Sequence, residues 1–200
     1  MSHLTIKERM AKAYETLAPK YGYTNKHQAP KIEKVLVSVG TGRMSRADKK
    51  KNEFIAGRLA KVTGQKASDR KAKQSIASFK LREGEVIGQM VTLRGARMNA
   101  FLEKLFMIAI PRTKDFRGFQ KKSIDAMGNF TIGVKEHTIF PETADEDLRD
   151  VFGLAITVVT NKRDKNEVAD FLEHLGLPFR EIAPDTKERR KTEAPKRRRK

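Results

Sequence analysis

The side chains able to do chemistry in this 200-residue chain are mostly cationic, and two segments gather them. Lys71, Lys73, Gln74, Ser75, Ser78, Lys80 and Arg82 mix cations with small hydrogen-bonding groups, and the apolar Ile76 and Phe79 stand among them. Cations supply phosphate affinity that ignores sequence, whereas hydroxyls, amides and an aromatic ring can engage riboses and bases. Arg112 to Asn129 has a similar character, carrying Arg112, Lys114, Arg117, Lys121 and Lys122 with Asp115 between them. It reads as a long polar loop, and compact domains rarely keep such loops idle. A third feature, Gly40-Thr41-Gly42, follows a strand-like stretch and precedes a helical one. A dinucleotide fingerprint would need another glycine at position 45, where Ser45 stands, and no Lys-Ser or Lys-Thr pair completes a Walker loop. The glycines then read as a tight turn whose backbone N–H groups can approach phosphate, that of RNA included.

Other reactive constellations are missing. Cysteine is absent, which excludes disulfides, thiolate zinc sites and thiol catalysis. His3, His27, His137 and His174 never fall at metal-ligand spacing. His137 follows Glu136 in a strand-like run, but Pro141 stands where a second histidine would be needed. Asp145, Glu146 and Asp147 read as carboxylates at the positive end of a helical turn capped by Thr143, rather than as a cation site. No catalytic residue, metal or cofactor is expected.

The charge balance points the same way as the basic segments. Lys and Arg number 43 against 25 Asp and Glu, a formal +18. Asp185 to Lys200 accounts for +6, so the remaining 184 residues carry +12 and the body is itself basic. Such a field repels itself in the compact state, and the simplest reason to keep it is a polyanionic partner. No apolar run approaches the roughly 20 residues a bilayer requires. Met1 to Lys12 is charged throughout and lacks a signal-peptide core. A soluble cytoplasmic protein is expected.

The positioning elements follow from periodicity. Met10, Ala13, Tyr14 and Leu17 predict a first helix ended by Pro19 and Gly22. Val35, Val37 and Val39 alternate with Leu36 and Ser38 in a strand over Lys31 to Val39. Ser45 with Asp48 resembles a capping box for a helix burying Phe54, Ile55, Leu59 and Val62, with Gly64 as its C-terminal cap. Gln65 to Glu85 looks irregular, and a strand follows over Ile87 to Leu93. Met98, Phe101, Leu102, Leu105, Phe106 and Ala109 form one apolar stripe of a helix stopped by Pro111. Two strands, Phe130 to Val134 and Leu154 to Val158, precede a last helix capped by Asp164 with Glu167. The order predicts an α+β two-layer sandwich: a mostly antiparallel sheet, helices on one face and an open face for a ligand. Residues 1–180 form one domain on this reading, and 181–200 a basic, solvated extension.

At this level the chain resembles a known family, the bacterial large-subunit ribosomal protein five, which binds 5S rRNA. Ala29 to Lys34 leading into Val39-Gly40-Thr41-Gly42, then Thr63-Gly64-Gln65-Lys66, Val91-Thr92-Leu93-Arg94-Gly95 and Pro111 to Gly118 follow in the family's order. Gly128-Asn129-Phe130, Gly133 to Glu136, Ile139 to Glu142 and Leu177-Pro178-Phe179 complete the series. The resemblance implies a structural, non-enzymatic role. It implies 5S rRNA contacts at Ser38, Gly40, Thr41, Gly42, Arg43, Gln65, Lys66, Thr92 and Arg94; the family usually has Asn where Ser38 stands. The Lys71–Arg82 loop would touch P-site tRNA, and Arg112, Lys114, Asp115, Arg117, Lys121 and Lys122 would form an intersubunit bridge with a small-subunit head protein. Most members end near Phe179, so the extension with Arg189, Arg190, Lys196, Arg197, Arg198, Arg199 and Lys200 is a departure, expected to lie along rRNA, 23S rRNA being the large partner. The rival classes are an enzyme acting on RNA or nucleotides, with Gly40-Thr41-Gly42 as its phosphate loop, and a free basic protein that coats nucleic acid without preference.

Overall fold

The computed structural model describes residues 4–42, 50–113, 116–143 and 151–180. Helix α1 (Ile6–Tyr21) starts at a reciprocal cap: Thr5 Oγ1 accepts the Glu8 N–H, and the Glu8 carboxylate accepts the Thr5 N–H. Pro19 does not end this helix. It sits exposed in the last turn, where a missing N–H forfeits a single hydrogen bond, and Gly22 closes the helix in a left-handed cap. Strand β1 (Ile32–Gly40) buries Val35, Val37 and Val39, and helix α2 (Lys50–Thr63) buries Ile55, Leu59 and Val62. Phe54 is only half-buried, with the Arg58 guanidinium over its ring. The expected Ser45–Asp48 cap lies outside the described residues.

Part of the stretch expected to be irregular is a strand. β2 (Ser68–Lys71) pairs with β3 (Val86–Leu93), and every residue of β2 is exposed. The lack of any apolar residue hid it from the alternation test, because an edge strand over solvent needs none. Helix α3 (Gly95–Lys104) buries Met98, Phe101 and Leu102 and runs on through a widened turn, Leu105–Ala109, into Ile110–Arg112. Pro111 was expected to stop it. The wide turn hydrogen-bonds the Ile110 N–H to the Leu105 carbonyl, which accommodates a ring that would crowd a regular turn. β4 (Phe130–Val134), β5 (Leu154–Thr160) and α4 (Lys165–His174) complete the fold.

The strands form one antiparallel sheet in the order β2-β3-β1-β5-β4. The helices cover one face, giving the expected α+β sandwich with a single core that includes Phe130, Phe140 and Phe171, all fully buried. His137 was expected in a strand; it opens a short turn after β4, buried and stacked on Phe152 at 4.1 Å. The Thr143 hydroxyl donates to the carbonyls of His137 and Phe140, and residues 145–147 lie outside the described ones. Among the described residues no helix is long and apolar enough to cross a membrane.

Polar contacts tie α1 to α4. Asp164 caps α4 through the Asn166 N–H, but Glu167 does not reach back to complete a box. Instead it accepts from the Tyr23 hydroxyl and pairs with Lys162 at 2.7 Å. The Tyr21 hydroxyl donates to Asp170 at 2.5 Å, and Lys20 pairs with the same carboxylate. Burial, then the hydrogen bonds to these carboxylates, push both tyrosines above their ordinary range. The folded state therefore holds both phenolic protons after the unfolded chain has released them.

Two outcomes follow. Stability should fall as pH rises past about 10, where unfolded tyrosines ionise, and should fall less steeply in Tyr21→Phe/Tyr23→Phe; urea midpoints across pH would measure this. Gly128 has φ +77, and a Cβ there would lie 1.8 Å from the Lys162 carbonyl oxygen, whereas Gly64, at φ +68, has open space. Gly128→Ala should cost several kcal/mol, and Gly64→Ala about 1 kcal/mol, read from the same midpoints.

Candidate nucleic-acid interface

The uncovered face is built by the strands' own alternation. Residues of β1 between the buried valines point away from the helices, and register aligns them with neighbours across the sheet. One row runs Ser68, Met90, Ser38, Ala155 and Gly133. The next runs Thr92, Leu36, Thr157 and Thr131. Every one of these residues is half-buried or exposed. Five strands span roughly 19 Å at the usual spacing, and apart from Met90 and Leu36 the side chains are small, so a broad, shallow surface results. The Thr131 and Thr157 hydroxyls lie 3.0 Å apart, and the Ser38 hydroxyl reaches the Ala155 carbonyl at 3.4 Å.

Gln65 follows the end of α2 and meets the backbone of β3. The Thr63 hydroxyl donates to the Leu59 carbonyl at 2.6 Å and lies 3.2 Å from that of Gln65, shaping the turn. The Gln65 amide then donates to the Thr92 carbonyl at 3.3 Å, which places Gln65 and Thr92 side by side. Lys66 and Arg94 are exposed nearby in sequence. The structure thus brings Ser38 and Thr92 to one side of the sheet, with Gln65 held against the backbone of Thr92.

Gly40-Thr41-Gly42 differs from its reading as a tight turn. The Thr41 N–H bonds the Ile87 carbonyl at 2.9 Å, so the ladder continues past Gly40, and neither glycine has a positive φ. Thr41 is fully buried because it extends the inward series of Val35, Val37 and Val39. Its hydroxyl is not on the exposed surface. Arg43 lies outside the described residues.

The Lys71–Arg82 segment is the outer part of the β2–β3 hairpin. Ala72 pairs with Glu85 and Gly84, and Ile76 with Leu81, which leaves a short turn, Ala77–Phe79, at the tip. Lys80 closes it at φ 49, the one positive-φ non-glycine among the described residues. Lys71, Lys73, Gln74, Ser78, Lys80 and Arg82 are exposed, and Phe79 is 60% exposed. Ser75 has a structural task, its hydroxyl accepting the Glu83 N–H at 2.9 Å.

The Arg112–Asn129 segment is less loose than its polarity suggested. Phe116 stacks edge-on against Phe119, and Phe119 against Phe130 of β4. Phe119 also bridges to Phe179 in parallel. Arg112, Arg117, Lys121 and Lys122 are held exposed on this anchored segment, while Lys114 and Asp115 lie outside the described residues, as does the whole of 181–200. No group of acidic residues or histidines able to hold a metal occurs among the described residues.

Comparison with known proteins settles the family. A family model described as ribosomal protein L5 matches residues 25–82, and a second, described as the C-terminus of that ribosomal family, matches residues 86–179. The chain belongs to the ribosomal L5 family. The large ribosomal subunit protein uL5 of Ureaplasma parvum serovar 3 (strain ATCC 27815 / 27 / NCTC 11736) is 44% identical over 87% of this chain and 94% of that protein. The uL5 of Anaeromyxobacter sp. (strain Fw109-5) is 44% identical over 88% and 98%, and that of Prochlorococcus marinus (strain MIT 9211) 47% over 83% and 94%. This is a family of structural ribosomal proteins, not enzymes, and of the cytoplasmic ribosome. The strands of the two matched L5 stretches interleave in one sheet, β1 of the first lying between β3 and β5 of the second.

Sequence reasoning had set Leu36 with Ser38 opposite the buried valines, but it missed Ser68, Met90, Thr131 and Thr157 as members of the open face. For Met90, Thr131 and Thr157 the signal was available only as the complement of the buried alternation, and for Ser68 in the all-exposed β2 there was none. Because these side chains make weak contacts within the protein, Gln65→Ala and Ser38→Ala should each lower folding stability by under about 1.5 kcal/mol in urea titrations, so a larger loss of RNA affinity would reflect the interface.

Proposed function

We propose that this L5-family protein docks 5S rRNA in the large subunit through its open sheet face, using Ser38, Gln65 and Thr92 with Lys66 and Arg94 at the margin. The observation that carries the reading is the pair of hydroxyl-rich rows crossing an uncovered sheet in a chain of +18 net charge. A flat face of hydroxyls can follow the shallow minor groove of RNA and meet its 2′-hydroxyls, while flanking cations neutralise phosphates. The hairpin tip, with Phe79 among Lys73, Lys80 and Arg82, contacts P-site tRNA on this reading. The anchored segment carrying Arg112, Arg117, Lys121 and Lys122 forms a bridge with a small-subunit head protein. Residues 1–180 act as one unit, and the extension from 181 to 200 follows rRNA.

A filter-binding titration against 5S rRNA with excess tRNA competitor, over a salt series, tests the central claim. The expected result is binding that survives competition, with Thr92→Ala weaker by roughly three- to tenfold, the worth of one hydrogen bond. Neutralising Lys73, Lys80 and Arg82 to Gln should leave that competition-resistant binding in place. Equal displacement by tRNA would reduce the protein to a general basic coat.

A further inference from the structure

The open face continues one row beyond the two that carry its hydroxyls. β2 keeps its register with β3 as far as Arg70, so Ser68 and Arg70 point the same way. Arg70 stands opposite Gly88, which stands opposite Gly40. This row lies two residues along the strands from Ser68, Met90 and Ser38, roughly 7 Å away. Arg70 is exposed and leans back over the face, its guanidinium reaching the Met90 sulfur at 3.7 Å. A thioether is a weak acceptor and takes one N–H, which leaves the fork most of its five donors. Among the described residues no carboxylate pairs with this cation. Its neighbour Asp69 points to the opposite face, where the buried Gln89 amide donates to its carboxylate at 2.6 Å.

The glycines beside Arg70 have different causes. Neither has a positive φ. A Cβ on Gly88 would lie 3.0 Å from the Val39 carbonyl oxygen, so close backbone approach within the sheet accounts for that one. Gly40 is exposed, and a Cβ there would meet nothing within 4 Å. Neither conformation nor packing among the described residues calls for a glycine at 40. Glycine weakens a strand, and where the chain itself gives no reason for it, it marks close approach by a ligand.

We infer that Arg70 is a phosphate contact of the RNA site on the open face, its guanidinium gripping a phosphodiester that comes down over Gly40. This rests on the reading of that face as the site for 5S rRNA. A planar fork meets two phosphate oxygens at once, which an ammonium does not. Arg70 stands at the end of the hydroxyl rows and beside bare backbone. There it suits the charged rim of an RNA groove, while Ser38 and Thr92 meet the riboses within it.

Filter binding of the full-length chain to 5S rRNA with excess tRNA competitor, over a salt series, tests this. Arg70→Gln should weaken competition-resistant binding roughly tenfold and flatten the slope of log affinity against log salt by roughly one unit. Arg70→Lys should keep the slope and recover only part of the affinity. Gly40→Ala should lower affinity with the urea midpoint unchanged or raised. Lys61→Gln, which removes the same charge from an exposed position on α2, should alter neither affinity nor slope. Wild-type binding that survives competition while Arg70→Gln matches it in affinity and slope would overturn the inference and leave the face in place. A loss in Arg70→Gln with the slope unchanged, or an equal change in Lys61→Gln, would also overturn it. Displacement of the wild type by tRNA would remove the reading of the face, and the inference with it.

Discussion

Side chains along a strand alternate between two faces, and a sheet with one face buried commits the other to whatever remains. Val35, Val37 and Val39 lie under the helices, which obliges Leu36 and Ser38 to face outward. Register then carries the obligation to the neighbouring strands, so that Thr92, Thr157 and Thr131 line up with Leu36 in one row. A shift of one residue between β1, β3, β5 and β4 would turn an outward side chain such as Ser38 or Thr131 inward and bring a buried apolar one out. The open face is thus held in place by the core, without needing strong contacts of its own.

The same economy appears at the two ends of the chain. α1 is joined to α4 by Tyr21 and Tyr23 reaching Asp170 and Glu167, with Lys20 and Lys162 completing the pairs. Burial alone would raise the Asp170 carboxyl, but the hydrogen bonds from Lys20 and Tyr21 outweigh it and leave it below its ordinary value. At the other edge, Phe119, Phe130 and Phe179 pack together and fix a segment that looked like free loop. Basic side chains on that segment are then displayed from a rigid support, which lowers the entropy lost when a partner orders them.

Several local signals lost to tertiary context. Pro19 and Pro111 both read as stops, yet one lies in an exposed last turn and the other follows a widened turn, so neither helix ends at its proline. Thr41 sits between two glycines and reads as turn, but its N–H is taken by Ile87 and its side chain follows the valines inward. β2 has no apolar residue to announce it, and only pairing with β3 makes it a strand. Glu167 stands at the spacing of a capping box, but a nearby tyrosine and lysine compete for its carboxylate.

Residue order alone was enough for the basic character, the absence of thiol chemistry, the apolar stripes of α2, α3 and α4, and the valine alternation of β1. These are properties of composition and of short-range period, which persist whatever the chain packs against. The family's ordered motifs were legible there too, and with them the fold class. Folding in three dimensions was needed to stand Gln65 beside Thr92, to hide Thr41, and to bring Phe179 and Arg180 against Phe119. Each of those depends on which strands pair and in what register, and pairing joins residues far apart in the chain, where local pattern has no reach.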